Sequence, residues 1–104
     1  MITVTDLIDL WKADGYDLEI EWQQSENEST WTLYYTQFSY REYEYRRHSY
    51  ILVESIPNNA GEQVVKRSRI LSFRTCYDDV NSMIHEAENL MELNWGDELH
   101  GIHE

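Results

Sequence analysis

The sequence predicts an α+β fold: a short N-terminal helix, a three- to four-stranded antiparallel sheet, and a long C-terminal helix packed on one face of that sheet. Three observations predict it. Apolar residues recur at helical spacing near both ends of the chain, apolar and polar residues alternate in the middle, and a strong turn signal lies at 57–61. With a 41% hydrophobic fraction, residues 1–104 are expected to form one domain around one core.

The N-terminal part of the chain predicts a helix followed by a strand. Thr5 is placed to cap the helix and Gly15 to end it. From residue 16 onward the hydrophobic period changes to two, which marks a half-buried strand with an acidic outer face. Its apolar residues are Tyr16, Leu18, Ile20 and Trp22, and its acidic residues are Asp17, Glu19 and Glu21.

Three further segments complete the predicted sheet. A polar turn at 25–29 precedes a second alternating strand around Trp31, so the first two strands should form an antiparallel hairpin. Residues 48–56 are rich in strand-forming side chains, and residues 63–73 predict a fourth strand whose period is interrupted by basic residues at 66–69. Because of that interruption, three strands and four strands both fit the pattern.

The C-terminal part of the chain predicts a long helix. Thr75 and Asp78 are spaced like a capping box, and Gly96 is suited to end the helix. The two terminal helices can then cover one face of the sheet and leave the other open to solvent or to a partner. Residues 97–104 are expected to add a turn or to remain a mobile acidic tail. The apolar stripe of the helix consists of Tyr77, Val80, Ile84, Ala87 and Met91.

Charge is sharply segregated along the chain. Residues 1–28 carry eight acids and one lysine, for a net −7, and residues 78–104 carry eight acids and no Lys or Arg, for −8. Residues 29–77 carry four acids and seven bases, for +3, and the three values account for the total of −12. That total exceeds the net charge of about 2 to 8 that keeps a small domain soluble. We expect Lys and Arg of a partner to match the acidic segments, the alternative being a surface that only confers solubility.

Cysteine usage and hydropathy indicate a cytoplasmic location. The single cysteine, Cys76, cannot form an internal disulfide, and no basic-then-apolar segment typical of a signal peptide is present near the N-terminus. No stretch approaches the roughly 20 apolar residues that cross a bilayer. We therefore expect no membrane contact.

Candidate catalytic groups are few. Cys76 precedes the predicted C-terminal helix, where the helix dipole favours a thiolate, and His48 or His85 could serve as its base. A half-buried packing role for the cysteine is the simpler interpretation. His100 and His103 have a loosely metal-like spacing, but a short tail provides no fixed geometry. No phosphate-binding loop, CxxC pair or GxSxG motif is present, and we expect no enzyme activity, no metal and no cofactor.

An aromatic run between Tyr34 and Tyr45 is interleaved with arginines, a pattern typical of surfaces that stack on nucleic-acid bases. The acidic segments on both sides of this run would repel phosphates. Tyrosines that pack in a sheet, with arginines paired to nearby acids, are therefore favoured. Direct nucleic-acid binding is not expected.

The acidic residues define the predicted binding surface. Those of the first strand should point the same way about 6.6 Å apart, because a strand rises about 3.3 Å per residue. On the C-terminal helix, an inward apolar stripe places a second set of acids outward, beside Ser82, His85 and Asn89. The candidate partner-binding residues are Asp14, Asp17, Glu19, Glu21, Glu26, Glu28, Asp78, Asp79, Glu86 and Glu92.

The order of these features resembles that of small phage-encoded type II-A anti-CRISPR proteins. The resemblance spans most of the chain: a short helix with Asp6-Leu7-Ile8, the alternating strand from Tyr16, the turn at 25–29, further strands and an acidic C-terminal helix. It implies a domain whose carboxylates imitate DNA phosphates and occupy the PAM-reading cleft of a CRISPR effector nuclease in the host cytosol. The basic middle segment, the tryptophans and the Tyr-rich stretch depart from that plan, so only acidic mimicry is carried over.

Three hypotheses about function follow. The leading one is an inhibitor that competes with nucleic acid for a basic cleft of a CRISPR effector or restriction-type nuclease. The second is an immunity protein or antitoxin that blocks a basic toxin. The third is a phage structural or assembly module that self-associates through an exposed strand or a Tyr-rich sheet. The sequence leaves the target open, as well as the choice between monomer and homodimer.

Overall fold

Two helices and a four-stranded antiparallel sheet make up the fold in the computed structural model, which describes residues 2–38, 48–72 and 80–92. The strand order is β1-β2-β3-β4, so strands adjacent in sequence are adjacent in the sheet. This confirms the predicted α+β class, and the segment with the basic interruption is the fourth strand. The elements are α1 (Val4–Ala13), β1 (Tyr16–Glu26), β2 (Ser29–Phe38), β3 (His48–Pro57), β4 (Gln63–Ser72) and α2 (Val80–Glu92).

The first helix begins earlier than the sequence predicts. Thr3 is the N-cap, and its side-chain oxygen accepts a hydrogen bond from the Asp6 backbone N–H at 3.1 Å. Thr5, the predicted cap, lies inside α1; that prediction was wrong because Thr3 offers the same hydroxyl at the capping-box distance from Asp6. The helix ends at Ala13, and Gly15 follows with a φ of +95°, which glycine adopts without strain.

The two helices pack on opposite faces of the sheet, so the expectation that they cover one face and leave the other open was wrong. The reason is visible in β3, where the consecutive apolar residues Ile51, Leu52 and Val53 point alternately to both faces. Apolar side chains on both faces require cover on both faces. The buried residues of the α1 core are Leu7, Trp11, Tyr34, Ile51, Val53 and Val65, and those of the α2 core are Trp31, Leu33, Tyr50, Leu52, Met83, Ala87 and Leu90.

A β-bulge redirects the side chains of β1. Ile20 lies opposite Tyr34 and Trp22 lies opposite Leu33, so Glu21 is an extra residue without a partner in β2. Trp22 therefore packs against the α2 core, and Ile20 is 60% exposed. The predicted alternation of one apolar face from residue 16 to residue 22 was wrong beyond the bulge. The residues before the bulge that pack in the α1 core are Tyr16 and Leu18.

The buried face of α2 is shifted slightly from the predicted stripe. Met83, Ala87 and Leu90 are buried, and three residues of the predicted stripe, Val80, Ile84 and Met91, pack at its border. The described helix has 13 residues; its predicted caps and the tail at 97–104 lie outside the described residues, as does Tyr77. Neither helix in the described part of the chain is long and apolar enough to cross a membrane.

Candidate functional site

Net charge changes sign across the sheet. β1 carries four carboxylates and no Lys or Arg, β2 carries neither, β3 carries Glu54 alone, and β4 carries Lys66, Arg67 and Arg69 with no acid. With histidine neutral, the strand charges are therefore −4, 0, −1 and +3 in sheet order. Because neighbouring strands lie about 4.8 Å apart, the outer strands are separated by about 14 Å. We term residues 14–28 the acidic edge and β4 the basic edge.

The acidic edge holds six carboxylates, all of them exposed. Asp17 and Glu19 lie on the α2 side of the sheet, because Glu19 faces Tyr35, which packs against the α2 core, and Asp17 is two residues away. Glu21 occupies the bulge, so the predicted row of three evenly spaced carboxylates is a pair with a displaced third member. No ion pair joins these acids to any other described residue. The remaining three are Asp14 before β1, Glu26 at its end and Glu28 in the following turn.

A tight turn brings β1 back along β2. Asn27 and Glu28 have φ values of 51° and 69°, between the paired residues Glu26 and Ser29. Positive φ at both central residues of a two-residue loop defines a type I′ turn, whose twist matches that of the flanking strands. Glu28 is therefore held in a backbone conformation that favours glycine.

Helix α2 presents further acids on the same side of the sheet as Asp17 and Glu19. Glu86 and Glu92 are exposed, as the sequence predicts. Residues 78–79 lie outside the described residues, so the structure bears only on the α2 part of this predicted surface. The predicted polar companions Ser82, His85 and Asn89 are also exposed.

The basic edge has an internal counter-ion. Glu54 is 4% exposed; its Oε1 accepts a hydrogen bond from Arg67 Nε at 2.5 Å, and its Oε2 accepts one from Ser29 Oγ at 2.7 Å. Lys66 Nζ lies 3.7 Å from the same Oε2. The Arg67 guanidinium also lies 5.4 Å from the centroid of the Trp31 ring, within cation–π range. Lys66 and Arg67 are therefore paired with an acid inside the fold, whereas the arginines of the aromatic run, for which the sequence predicts such pairing, lie outside the described residues.

Sequence reasoning missed the role of Glu54. The signal was present: a single acid follows the apolar run at 51–53 in β3, and two adjacent bases interrupt β4. An ionised side chain in a buried strand requires an opposite charge. The register of β3 and β4 places Glu54 opposite Arg67, so the acid and the base meet although they are 13 residues apart in the sequence.

The central strand β2 contains the one described group with a clear shift in its pKa. Tyr34 is buried in the α1 core, and this desolvation raises the pKa of its phenol above 10.0; a hydrogen bond with Thr32 offsets part of the effect. The neutral phenol is therefore favoured in the folded protein.

The other residues weighed as chemical groups provide no assembled site in the described ranges. His85 is exposed on α2. No three His, Cys, Asp or Glu side chains within 2–38, 48–72 and 80–92 are grouped so as to hold a metal ion. Outside the described residues lie Arg41, Arg46, Arg47, Arg74, Cys76, His100, His103 and the side chain of His48.

Comparison of the chain with protein-family models, curated proteins and solved structures finds no match. The fold and the surface charge define an acidic α+β domain whose charge is divided between the two edges of one sheet.

Proposed function

We propose that this protein binds a basic, nucleic-acid-binding surface of another protein and excludes nucleic acid from it. The observation that carries the proposal is the acidic edge, where six exposed carboxylates and no Lys or Arg occupy residues 14–28. Like charges at this density repel one another and lower the stability of the fold. Cations of a partner surface would offset that repulsion on binding and would favour this partner over others.

Linear charge density sets how closely the acidic edge imitates a nucleic acid. One strand of B-DNA carries a phosphate about every 3.4 Å along the helix axis, whereas alternate residues of a β-strand are about 6.6 Å apart. β1 alone therefore supplies about half the charge density of one DNA strand. The exposed Glu86 and Glu92, on the same side of the sheet as Asp17 and Glu19, add to it. We therefore include α2 in the proposed contact surface.

The particular target is a CRISPR effector nuclease, by the resemblance to type II-A anti-CRISPR proteins. In such nucleases arginine side chains grip the duplex beside the target sequence in a positively charged cleft. A carboxylate surface that fills the cleft would block DNA without any chemical step. The contact would thus be reversible and sensitive to salt.

A competition assay tests this proposal. The purified protein is added to a guide-loaded effector nuclease, and binding of a labelled DNA target is measured between about 50 and 500 mM salt, since the Debye length falls from about 10 Å at 0.1 M to about 3 Å at 1 M. We expect displacement of DNA, weakening as salt rises. The variant Asp17→Asn/Glu19→Gln/Glu21→Gln should raise the inhibitory concentration at least about tenfold at low salt, because each exposed charge contributes up to about 1 kcal/mol.

The matched control removes three exposed carboxylates outside residues 14–28 and α2, in Asp6→Asn/Asp9→Asn/Glu62→Gln, so that both variants have the same net charge. We expect the control to inhibit within about threefold of the natural chain. Equal losses in the two variants would show that total charge acts, and not the acidic edge. Absence of competition with several effector nucleases would contradict this target and direct the same assay to a basic toxin.

A further inference from the structure

The outer side of β1 is a candidate binding edge in its own right. β1 has 11 residues, forms one end of the sheet, and pairs only with β2 among the described residues. In an antiparallel edge strand, alternate residues direct both backbone N–H and C=O away from the sheet. Such groups can pair with a further strand unless charge or shape prevents it.

The two halves of β1 differ in how well they can accept a strand. The bulge at Glu21 disrupts the ladder in the middle of β1. Before the bulge, the register runs without a break from Tyr16 opposite Phe38 to Ile20 opposite Tyr34. The regular segment at 16–20 is therefore the suitable part of the edge.

The side chains of this segment select the occupant. Exposed Asp17 and Glu19 lie on the α2 side, and Ile20, 60% exposed, lies on the α1 side. A second copy of β1 would place carboxylates opposite carboxylates, which is destabilising. In a strand with Lys or Arg at alternate positions, the Cβ of each basic residue would lie about 5 Å from the Cβ of Asp17 or Glu19. The same charges that oppose self-pairing therefore favour a basic strand.

We propose that the segment at 16–20 binds an extended basic segment of the partner as a fifth strand of the sheet. Lys or Arg at alternate positions would face Asp17 and Glu19, and the apolar residue that follows on the Ile20 side of this pair would cover Ile20. Backbone hydrogen bonds would supply affinity, and the alternating side chains would supply specificity. This inference rests on the proposed function and adds the way in which the partner is held.

Synthetic peptides test the inference. The probe is a seven-residue peptide with Lys at alternate positions and Val or Thr between them; its control has the same sequence with every internal amide N-methylated, which keeps the charge but removes the donors. Binding to the full chain is followed by backbone amide shifts in NMR at low salt. We expect the unmethylated peptide to bind at least about tenfold more tightly, since several main-chain hydrogen bonds are lost in the control, and its shifts to centre on residues 17–20.

Equal affinity of the two peptides, or shifts centred on α2, would overturn strand addition. Concentration-dependent dimerisation with the same shifts would also overturn it, because a second copy would then fill the edge. Asp17→Asn/Glu19→Gln should weaken binding of the unmethylated peptide about tenfold, and the control Asp9→Asn/Glu62→Gln, outside the proposed contact surface, should not. If Asp17→Asn/Glu19→Gln/Glu21→Gln loses DNA competition while the two peptides bind the natural chain equally, strand addition fails and the proposed function stands. If the unmethylated peptide binds more tightly and DNA competition is absent, strand addition stands and the proposed function fails.

Discussion

The two edges of this sheet treat charge in opposite ways. On the basic edge, Lys66 and Arg67 both pair with the buried carboxylate of Glu54, which neutralises part of their positive charge inside the fold. On the acidic edge, six exposed carboxylates form no ion pair with a described residue. A charge that is paired within the fold serves its structure, whereas unpaired like charges weaken the fold and are suited to an external partner. The basic edge therefore contributes to the structure of the fold, and the acidic edge is the surface to which we assign the proposed function.

The largest expected effect comes from removing the counter-ion of the basic edge. Glu54→Ala should lower the free energy of unfolding by about 3 kcal/mol, the lower end of the range for a broken buried ion pair, because the Arg67 side chain is 19% exposed and keeps some hydration. Urea unfolding measures the change. Glu19→Gln, on the acidic edge, should stay within about 0.5 kcal/mol of the natural chain. Similar losses at the two positions would remove the distinction between the edges.

A second, smaller effect concerns the strand between the edges. The pKa of Tyr34 is raised by burial, so its stabilising contribution is complete below about pH 10 and is lost as pH rises through the pKa of the folded protein. Above about pH 10 the unfolded state loses the proton first, and the free energy of unfolding should fall by up to about 1.4 kcal/mol per pH unit.

Tyr34→Phe isolates this effect from the titration of other groups. The difference in free energy of unfolding between the natural chain and the variant should be constant up to about pH 9 and should shrink as the pH rises further, because the pKa of Tyr34 is higher in the folded protein. Urea unfolding at several pH values provides the comparison. A difference independent of pH would mean that Tyr34 ionises equally in both states.

Much of the fold was predictable because local patterns match it. The period of two predicted the first strands, and the helical stripe predicted that Ala87 faces the core. The apolar run at 51–53 also indicates that both faces of the sheet are covered. The position of one helix at each end of the chain instead led to the expectation that both helices cover the same face. The bulge could not be predicted from the sequence, because Glu21 continues the alternation of apolar and acidic residues. Only the pairing of β1 with β2 shows that Glu21 is an extra residue.

The candidate site was predictable in composition and less so in geometry. Exposure of the acids at 14–28 follows from their charge alone. That Asp17 and Glu19 share a side of the sheet with α2 depends on which face each helix covers, a tertiary property. The counter-ion role of Glu54 depends on strand register for the same reason.

The smallest expected effect compares the turns of the two edge hairpins. The basic-edge turn at 58–62 places a glycine, Gly61, at a φ of +83°, and the Asn58 side chain accepts hydrogen bonds from two backbone N–H groups at 2.9 Å. The acidic-edge turn places Glu28 at a φ of +69°. Glu28→Gly should raise the free energy of unfolding by about 0.5 kcal/mol, because relief of the left-handed strain is partly offset by greater flexibility of the unfolded chain.

Two controls separate backbone strain from charge in this comparison. Glu28→Gln removes the charge and keeps the backbone strain. If urea unfolding showed the same rise in the free energy of unfolding for Glu28→Gln as for Glu28→Gly, the effect would come from charge repulsion and not from strain. Gly61→Ala should lower the free energy of unfolding by about 1 kcal/mol although nothing lies within 4 Å of the added carbon, because its φ is unfavourable for alanine. Glu28 also belongs to the proposed contact surface, so Glu28→Gly should weaken DNA competition while it stabilises the fold. That opposite response would show that a carboxylate in a strained turn serves the partner at the expense of the domain.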